Sequence, residues 1–220
     1  MIPTDSWRCR YGWCAVFAIA FAYIESSVVV YLRTVYYPEG FTFPLKGLGL
    51  PILLIEAGRE LATIVVLAVL SRLAEKMRKP RFFLFLYCFG IWDIFYYLWL
   101  KVLLDWPSTL LDWDVLFLIP LPWVGPVLSP LLTSLLFIAA AVTVTHLESQ
   151  GRSVDFRRFD WLMGLAAALI VVGSYLWESG SVLQGTVPQG YPWWLWCAGI
   201  GLGLAVFLAR VLQSGRTGRT

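Results

Sequence analysis

Six runs of about 20 apolar residues follow one another along this chain, and they constrain its fold more than any other feature. A helix needs about 20 apolar residues to cross the hydrocarbon core of a bilayer, where every backbone polar group must be satisfied within the segment. The sequence therefore predicts an all-α, polytopic membrane helical bundle with about six transmembrane helices, forming one integral-membrane domain over residues 1–220. The predicted spans are roughly 13–35, 50–71, 82–104, 127–147, 160–179 and 192–212.

The composition points to the same class of protein. Hydrophobic residues make up 59% of the chain and charged residues 14%, whereas soluble domains average about 45–50% and about 25%. The 12 Trp residues fit the enrichment of amphipathic rings at membrane interfaces. The lipid bilayer is the expected environment, and a net charge of +3 gives no reason to expect nucleic acid as a partner.

The placement of Lys and Arg predicts the orientation, because cytoplasmic loops of membrane proteins are enriched in these residues. Most of the 17 basic residues lie before the first predicted span or within 72–81, 152–158 and 210–219, all on one predicted side. Both termini are therefore expected in the cytoplasm of a cell whose plasma membrane is of the bacterial inner-membrane type. The first run is longer than the core of a signal peptide, which has about 7–15 residues, so we interpret it as an uncleaved span.

A Pro- and Trp-rich segment, about 105–127, separates the third and fourth predicted spans on the outer side. Its prolines exclude one regular helix, although residues 115–128 are almost wholly apolar. Irregular backbone at membrane depth must be covered by protein or line a cavity. The segment is predicted to be an interfacial or re-entrant cap, and a loop lying flat on the headgroups is the alternative.

The second predicted span carries three charged residues near its middle. Each charge costs roughly 2.5–3.5 kcal/mol at the centre of a bilayer. On a helix, Glu56, Arg59, Glu60 and Thr63 share a stripe about 100° wide. This stripe is predicted to face other helices, while the opposite side faces lipid.

The two neighbouring spans add acids at a similar depth, Glu25 in the first and Asp93 in the third. Four acids and one arginine cannot all stay charged in a low-dielectric interior, so protons or a cation must neutralise the excess. An ionisable residue inside a membrane is a functional-site hypothesis by default. The predicted proton- or ligand-binding residues are Glu25, Glu56, Arg59, Glu60, Asp93, Tyr96 and Tyr97, and the four acids are candidate ligands of a divalent metal ion.

Four charged residues nearer the outer side extend this hypothesis: Arg33, Lys101, Asp112 and Asp114. Together with Tyr96 and Tyr97 they would form an outer vestibule, an aromatic path that leads from outside to Asp93. The alternative is that the tyrosine hydroxyls satisfy Asp93 within the protein and that the aspartates belong to a solvated loop.

Several kinds of site are excluded by the sequence. The four cysteines form no C-x-x-C pair, and the single histidine, His146, cannot supply a bis-His haem or a His-rich di-iron site. The glycine-rich run 199–205 lies inside an apolar span and is not a nucleotide-binding loop; Gly199 and Gly203 have the spacing of close helix packing. A divalent cation is the cofactor that the remaining residues could hold.

Three functions are compatible with these features. The first is a small carrier or proton/cation-handling membrane protein. The second is a non-catalytic subunit of a larger membrane complex, with other membrane subunits as partners and the acid–arginine network holding its helices together. The third is an intramembrane enzyme that uses a carboxylate as acid or base or binds a hard divalent metal. The predicted buried charge is confined to 1–104, and 128–220 shows no matching repeat, which counts against a transporter; the sequence also leans away from an enzyme.

Overall fold

The computed structural model describes residues 6–45 and 49–216, and this part of the chain is mostly helical. Each predicted span coincides with a helix to within a few residues, apart from the start of the first. The long helices are α1 (Trp7–Tyr36), α2 (Leu50–Ala74), α3 (Arg78–Leu104), α4 (Leu128–Ser149), α5 (Arg158–Leu176) and α7 (Trp193–Leu212), and a short α6 (Ser179–Leu183) follows α5.

Five helical segments in the described ranges are long and apolar enough to cross a membrane: α1, α3, α4, α5 with α6, and α7. Helix α2 is 25 residues long but carries the three charged residues, and it is not among the five. Its polar stripe faces the protein as predicted, because Glu56, Glu60 and Thr63 are buried. On its opposite side, Leu61 is 59% exposed. The fold is thus that of an integral membrane helical bundle.

Glycines allow two pairs of helices to approach closely. A Cβ atom on Gly90 of α3 would lie 2.7 Å from the Ser134 carbonyl oxygen of α4. A Cβ atom on Gly199 of α7 would lie 2.7 Å from Val171 Cγ2 and 2.9 Å from the Ala167 carbonyl oxygen of α5. Because neither glycine has a side chain, α3 can pack closely against α4, and α7 can pack closely against α5. The close helix packing predicted for Gly199 is therefore confirmed.

The mostly helical structure is consistent with the predicted all-α class, and the segment between α3 and α4 adds a β-hairpin that was not predicted. Strands β1 (Trp113–Phe117) and β2 (Trp123–Pro126) are antiparallel, with Asp114 opposite Gly125. Aromatic and β-branched residues favour the strands, and Pro120 and Pro122 lie in the connection, where they interrupt no ladder. Val124 is fully buried, and a Cβ on Gly125 would come within 3.1 Å of the Tyr191 ring. The hairpin therefore packs into the bundle.

Charged residues link several helices at the opposite end of the bundle. Arg10 of α1 pairs with Glu75 after α2 at 3.0 Å, and Lys79 of α3 pairs with Glu148 of α4 at 2.5 Å. After α4, strand β3 (Arg152–Ser153) pairs with strand β4 (Gly215–Arg216) beyond α7. The segments that are predicted to be cytoplasmic thus meet at one end of the bundle.

Candidate functional site

Arg59 lies between two acids from different helices. Its Nε and Nη2 atoms contact Glu56 Oε2 at 3.0 and 2.9 Å, because residues three apart on α2 are neighbours on its surface. Its Nη1 atom donates to Glu25 Oε2 of α1. Glu25 and Glu56 are both buried. One guanidinium therefore joins two buried carboxylates across the α1–α2 contact.

Glu60 is the third acid of this group and has a different partner. The backbone amide of Leu118, in the connection of the β-hairpin, donates to Glu60 Oε2 at 2.7 Å. Glu60 also interacts electrostatically with Arg59, Glu56 and Glu25. We call Glu25, Glu56, Arg59 and Glu60 the Arg59 cluster; it contains three acids and one base.

Asp93 does not join the other predicted acids. Ser134 Oγ of α4 donates to Asp93 Oδ2 at 2.8 Å, and the Asp114 carboxylate lies within electrostatic range of Asp93. Within the described ranges, the contacts of Asp93 do not include Arg59. The expectation that four acids surround one arginine is therefore realised for Glu25, Glu56 and Glu60 and not for Asp93, which accepts from Ser134 of α4.

Tyr96 and Tyr97 lie between these groups. Tyr96 is within electrostatic range of Arg59, Glu25, Arg33 and Asp114. The Tyr97 hydroxyl donates to Asp114 Oδ2 at 3.2 Å, and not to Asp93, the partner proposed from the sequence as one alternative.

Arg33 and Asp114, two residues of the predicted vestibule, form a buried ion pair. Arg33 Nη2 lies 2.9 Å from Asp114 Oδ1. The guanidinium carbon stands 3.8 Å from the centre of the Trp106 ring and 4.3 Å from that of Phe41, a position favourable for cation–π attraction. Burial raises the pKa of Asp114 above its usual value, and Arg33 opposes this shift.

The other two vestibule residues lie on the surface. Lys101 Nζ pairs with Asp105 at 2.7 Å and donates to the Pro107 carbonyl at 3.1 Å. Asp112 is slightly buried, which opposes ionisation, but hydrogen bonds from Thr109 and Ser108 outweigh this and lower its pKa. Lys101 and Asp112 thus stabilise the loop between α3 and β1. They do not form one vestibule with Arg33 and Asp114.

A cavity of about 1500 Å³ connects the Arg59 cluster with Asp93. All four residues of the cluster line it, as do Asp93, Asp114 and Arg33. It then extends between the α1–α4 half and the α5–α7 half, where its walls are mainly aliphatic and aromatic. The polar residues therefore occupy one region of a large, mostly apolar space.

In the described part of the chain, no group of three or more His, Cys, Asp and Glu residues is placed to hold a metal ion. The proposed metal ligands Glu25, Glu56, Glu60 and Asp93 are thus not arranged as a metal centre. Two of the four instead share one arginine.

Several important groups were not identified from the sequence. Ser134 is a hydroxyl inside an apolar span, a signal that could have been used. The Leu118 amide has no side-chain signal, and the stacking of Arg33 between Phe41 and Trp106 joins residues far apart in sequence. Trp92 also lines the cavity, and its buried indole N–H has no hydrogen-bond partner among the described residues.

No protein-family model, no curated protein and no solved structure matches this chain.

Proposed function

We propose that this chain is a small carrier or proton/cation-handling membrane protein and that the Arg59 cluster is its binding site. The observation that carries the proposal is the excess of buried acid: Glu25, Glu56 and Glu60 line one cavity with Arg59. Two uncompensated carboxylates in an apolar surrounding require a proton or a cation. Exchange of one for the other at the same site is the elementary step of a proton-coupled carrier.

The proposal includes a topology of six spans with both termini in the cytoplasm, in a plasma or inner membrane. Helix α2 would be the sixth span, although it falls outside the five apolar ones. The contacts of α2 with α1 support this sixth span. At the middle of α2, Arg59 pairs with Glu25 of α1. Near the end of α2, Arg10 Nη1 of α1 donates to the Ala74 carbonyl oxygen at 3.5 Å. The charges of α2 would then face protein throughout. In intact cells, and in a Cys197→Ser background that removes the exposed native thiol, membrane-impermeant thiol reagents should label a Leu110→Cys variant and spare a Lys76→Cys variant. The reverse result contradicts the orientation.

Proton counting tests the binding function. The purified chain is placed in weakly buffered detergent solution, and the protons released on adding sodium, magnesium or an organic ammonium salt are measured. We expect release by the wild type and less release by Glu60→Gln, which removes one acid and keeps the shape of the side chain. Glu39→Gln, which changes an exposed acid of the 37–45 loop, is the matched control.

The proposal fails if no cation displaces protons. It also fails if wild type and Glu60→Gln take up the same number of protons between mildly alkaline and mildly acidic pH, because Glu60 would then not titrate in the folded protein.

The bond from Arg59 to Glu25 favours a second candidate, a subunit of a larger membrane complex in which the cluster holds α1 and α2 together. In that case Glu25→Gln should lower the melting temperature and leave proton release unchanged. A stoichiometric membrane partner that copurifies in mild detergent would further favour this candidate.

A further inference from the structure

We propose that the cation bound at the Arg59 cluster is organic and amphiphilic, with a positively charged head at the cluster and an apolar body in the cavity. This inference rests on the proposed function and names its class of ligand. The first argument is size, because a cavity of about 1500 Å³ exceeds the usual range of about 300–1,000 Å³ for small-molecule pockets. An inorganic ion would leave almost all of this space unused.

The second argument is the chemistry of the walls. Beyond the cluster the cavity is lined by aromatic rings, including Phe82, Phe89, Phe137, Phe156 and Trp161. Apolar walls stabilise a ligand in proportion to the apolar area that it removes from water. An inorganic ion has no such area, whereas a long or bulky hydrocarbon body would gain from the full length of the cavity.

The charge of the Arg59 cluster also favours an organic cation. The acids outnumber the bases at the cluster, so a ligand with a positive head is favoured over a neutral or anionic one. Glu25, Glu56 and Glu60 each make their described contact through Oε2, and each carboxylate has a second oxygen that can accept from a ligand. The described acids are not arranged as a metal centre, so the cluster does not offer a metal ion a coordination shell.

Trp92 provides an independent indication of a ligand. It is 6% exposed and lines the cavity, and its indole N–H has no hydrogen-bond partner among the described residues. A buried Trp N–H usually has a partner. The indole stacks on Tyr96 with ring centres 5.9 Å apart, and Tyr96 lies within electrostatic range of Arg59 and Glu25. These two rings provide aromatic faces for an organic cation, and the N–H can donate to an oxygen of its head.

Binding of tetraphenylphosphonium tests the inference. The full chain is purified in dodecyl maltoside, a neutral amphiphile that is present in excess and competes for purely apolar binding. The amount of radiolabelled tetraphenylphosphonium bound to the protein is measured by equilibrium dialysis. We expect saturable binding that releases protons and is not displaced by sodium or magnesium. Glu60→Gln should weaken binding by about tenfold or more, as expected for the loss of one negative charge beside the cation. Glu39→Gln should bind as the wild type does.

A second variant keeps the test decisive if Glu60→Gln folds poorly. Trp92→Phe retains an aromatic ring and removes the N–H. We expect the variant to stay folded, with a somewhat lower melting temperature because a buried ring becomes smaller. It should bind N-dodecyl-N,N-dimethylglycine ethyl ester, a quaternary ammonium probe with a carbonyl oxygen, more weakly than the wild type. Equal binding by a folded Trp92→Phe variant would overturn the assignment of this residue and with it the inference.

The failures of the two proposals can be distinguished. If sodium or magnesium releases protons from the cluster and tetraphenylphosphonium does not bind, the proposed function stands and this inference is overturned. If the probe binds equally to wild type and Glu60→Gln, the apolar cavity alone takes it up, as it would a lipid chain, and the inference is also overturned. If no cation binds or releases protons, both proposals fail.

Discussion

Arg33 and Arg59 are two cationic residues at the same cavity whose charges are balanced differently. Arg33 has one buried acid, Asp114, and two aromatic faces, so its surroundings are neutral overall. Arg59 has two directly bonded acids and a third within electrostatic range. The first arrangement is balanced in charge, although Arg33 Nη1 has no hydrogen-bond partner among the described residues, while the second can take up a further positive charge. We therefore expect substitutions at Arg33 to affect stability and those around Arg59 to affect binding.

The Arg33–Asp114 pair provides a stability prediction. Arg33→Gln leaves Asp114 buried without its cation, and breaking a buried pair from one side costs about 3–5 kcal/mol. The free energy of unfolding in detergent, measured by chemical denaturation, should fall by this amount. Lys101→Gln is the control, because Lys101 is exposed and its pair with Asp105 should contribute about 0–1 kcal/mol. Similar losses in both variants would contradict the assignment.

At the scale of elements, glycines determine how closely the helices pack. Gly90 brings α3 onto α4 at Ser134, whose hydroxyl also donates to Asp93. Gly199 brings α7 onto α5. The hairpin is attached by a different kind of contact, because the Leu118 amide donates to Glu60 of α2 while β2 packs near Tyr175 and Tyr191. The elements around the cavity are therefore fixed by close backbone contact and by single polar bonds.

Two glycines of α7 provide a matched comparison. In Gly199→Ala the new Cβ would lie 2.7 Å from Val171 Cγ2 and 3.0 Å from the Val171 amide nitrogen, so the helices must separate at a cost of about 1–3 kcal/mol. In Gly203→Ala the Cβ would lie 3.6 Å from Ala167 Cβ, an ordinary contact, and the better helix propensity of alanine can stabilise by up to about 1 kcal/mol. Melting temperatures should move in opposite directions. A drop in both would mean that α5 and α7 are packed differently.

The loop before β1 should depend on pH through Asp112. Hydrogen bonds from Thr109 and Ser108 lower the pKa of this carboxyl, although its slight burial works in the opposite sense. A lowered pKa means that the ionised form stabilises the loop above the unfolded-state pKa and that this contribution is lost as pH falls through the folded-state pKa. Hydrogen exchange at the Ser108 and Thr109 amides should therefore accelerate relative to intrinsic rates on acidification. Asp112→Asn should remove this dependence, and an unchanged profile would contradict it.

The helices were predictable and the hairpin was not, for physical reasons. Six apolar runs determine six helices because a continuous apolar surface and internal hydrogen bonds suit the same residues. The stripe of α2 followed from helical periodicity, which also placed Glu56, Glu60 and Thr63 inside the protein. Periodicity gives no information about which helix a stripe meets, so Asp93 was grouped with Arg59, whereas it faces Ser134 of α4. Partners such as the Leu118 amide depend on tertiary structure alone.

At the scale of the whole molecule, two groups of helices line one cavity, which is open to the surroundings at exposed lining residues such as Leu54 and Leu165. Helices α1 to α4 carry the Arg59 cluster and Asp93, while α5 and α7 contribute aliphatic and aromatic walls. Buried charge is concentrated in the first half but, contrary to the sequence prediction, is not confined to residues 1–104: Asp160 of α5 is buried at the cavity and pairs with Arg210 of α7. The α5–α7 half is therefore part of the binding region in our proposal.

Filling the cavity tests this division of roles. Gly164 of α5 lines the cavity and has open space where a Cβ would stand. Gly164→Phe should keep the fold and weaken the binding of tetraphenylphosphonium by about tenfold, the effect of overpacking a binding site by about 1–3 kcal/mol. The number of protons taken up between mildly alkaline and mildly acidic pH should stay that of the wild type. Gly201→Phe is the control, because Gly201 of α7 is exposed and has open space as Gly164 does, but it does not line the cavity; an equal effect of both would contradict the assigned cavity wall.

The bond between the Leu118 amide and Glu60 makes the hairpin a natural reporter of the buried site. An amide donates more strongly to a carboxylate than to a neutral carboxyl group. Any event that discharges Glu60 should therefore loosen the turn between β1 and β2, far along the chain from the acid itself. A fluorophore on the exposed Leu121 would then report whether Glu60 is charged, without any probe entering the protein.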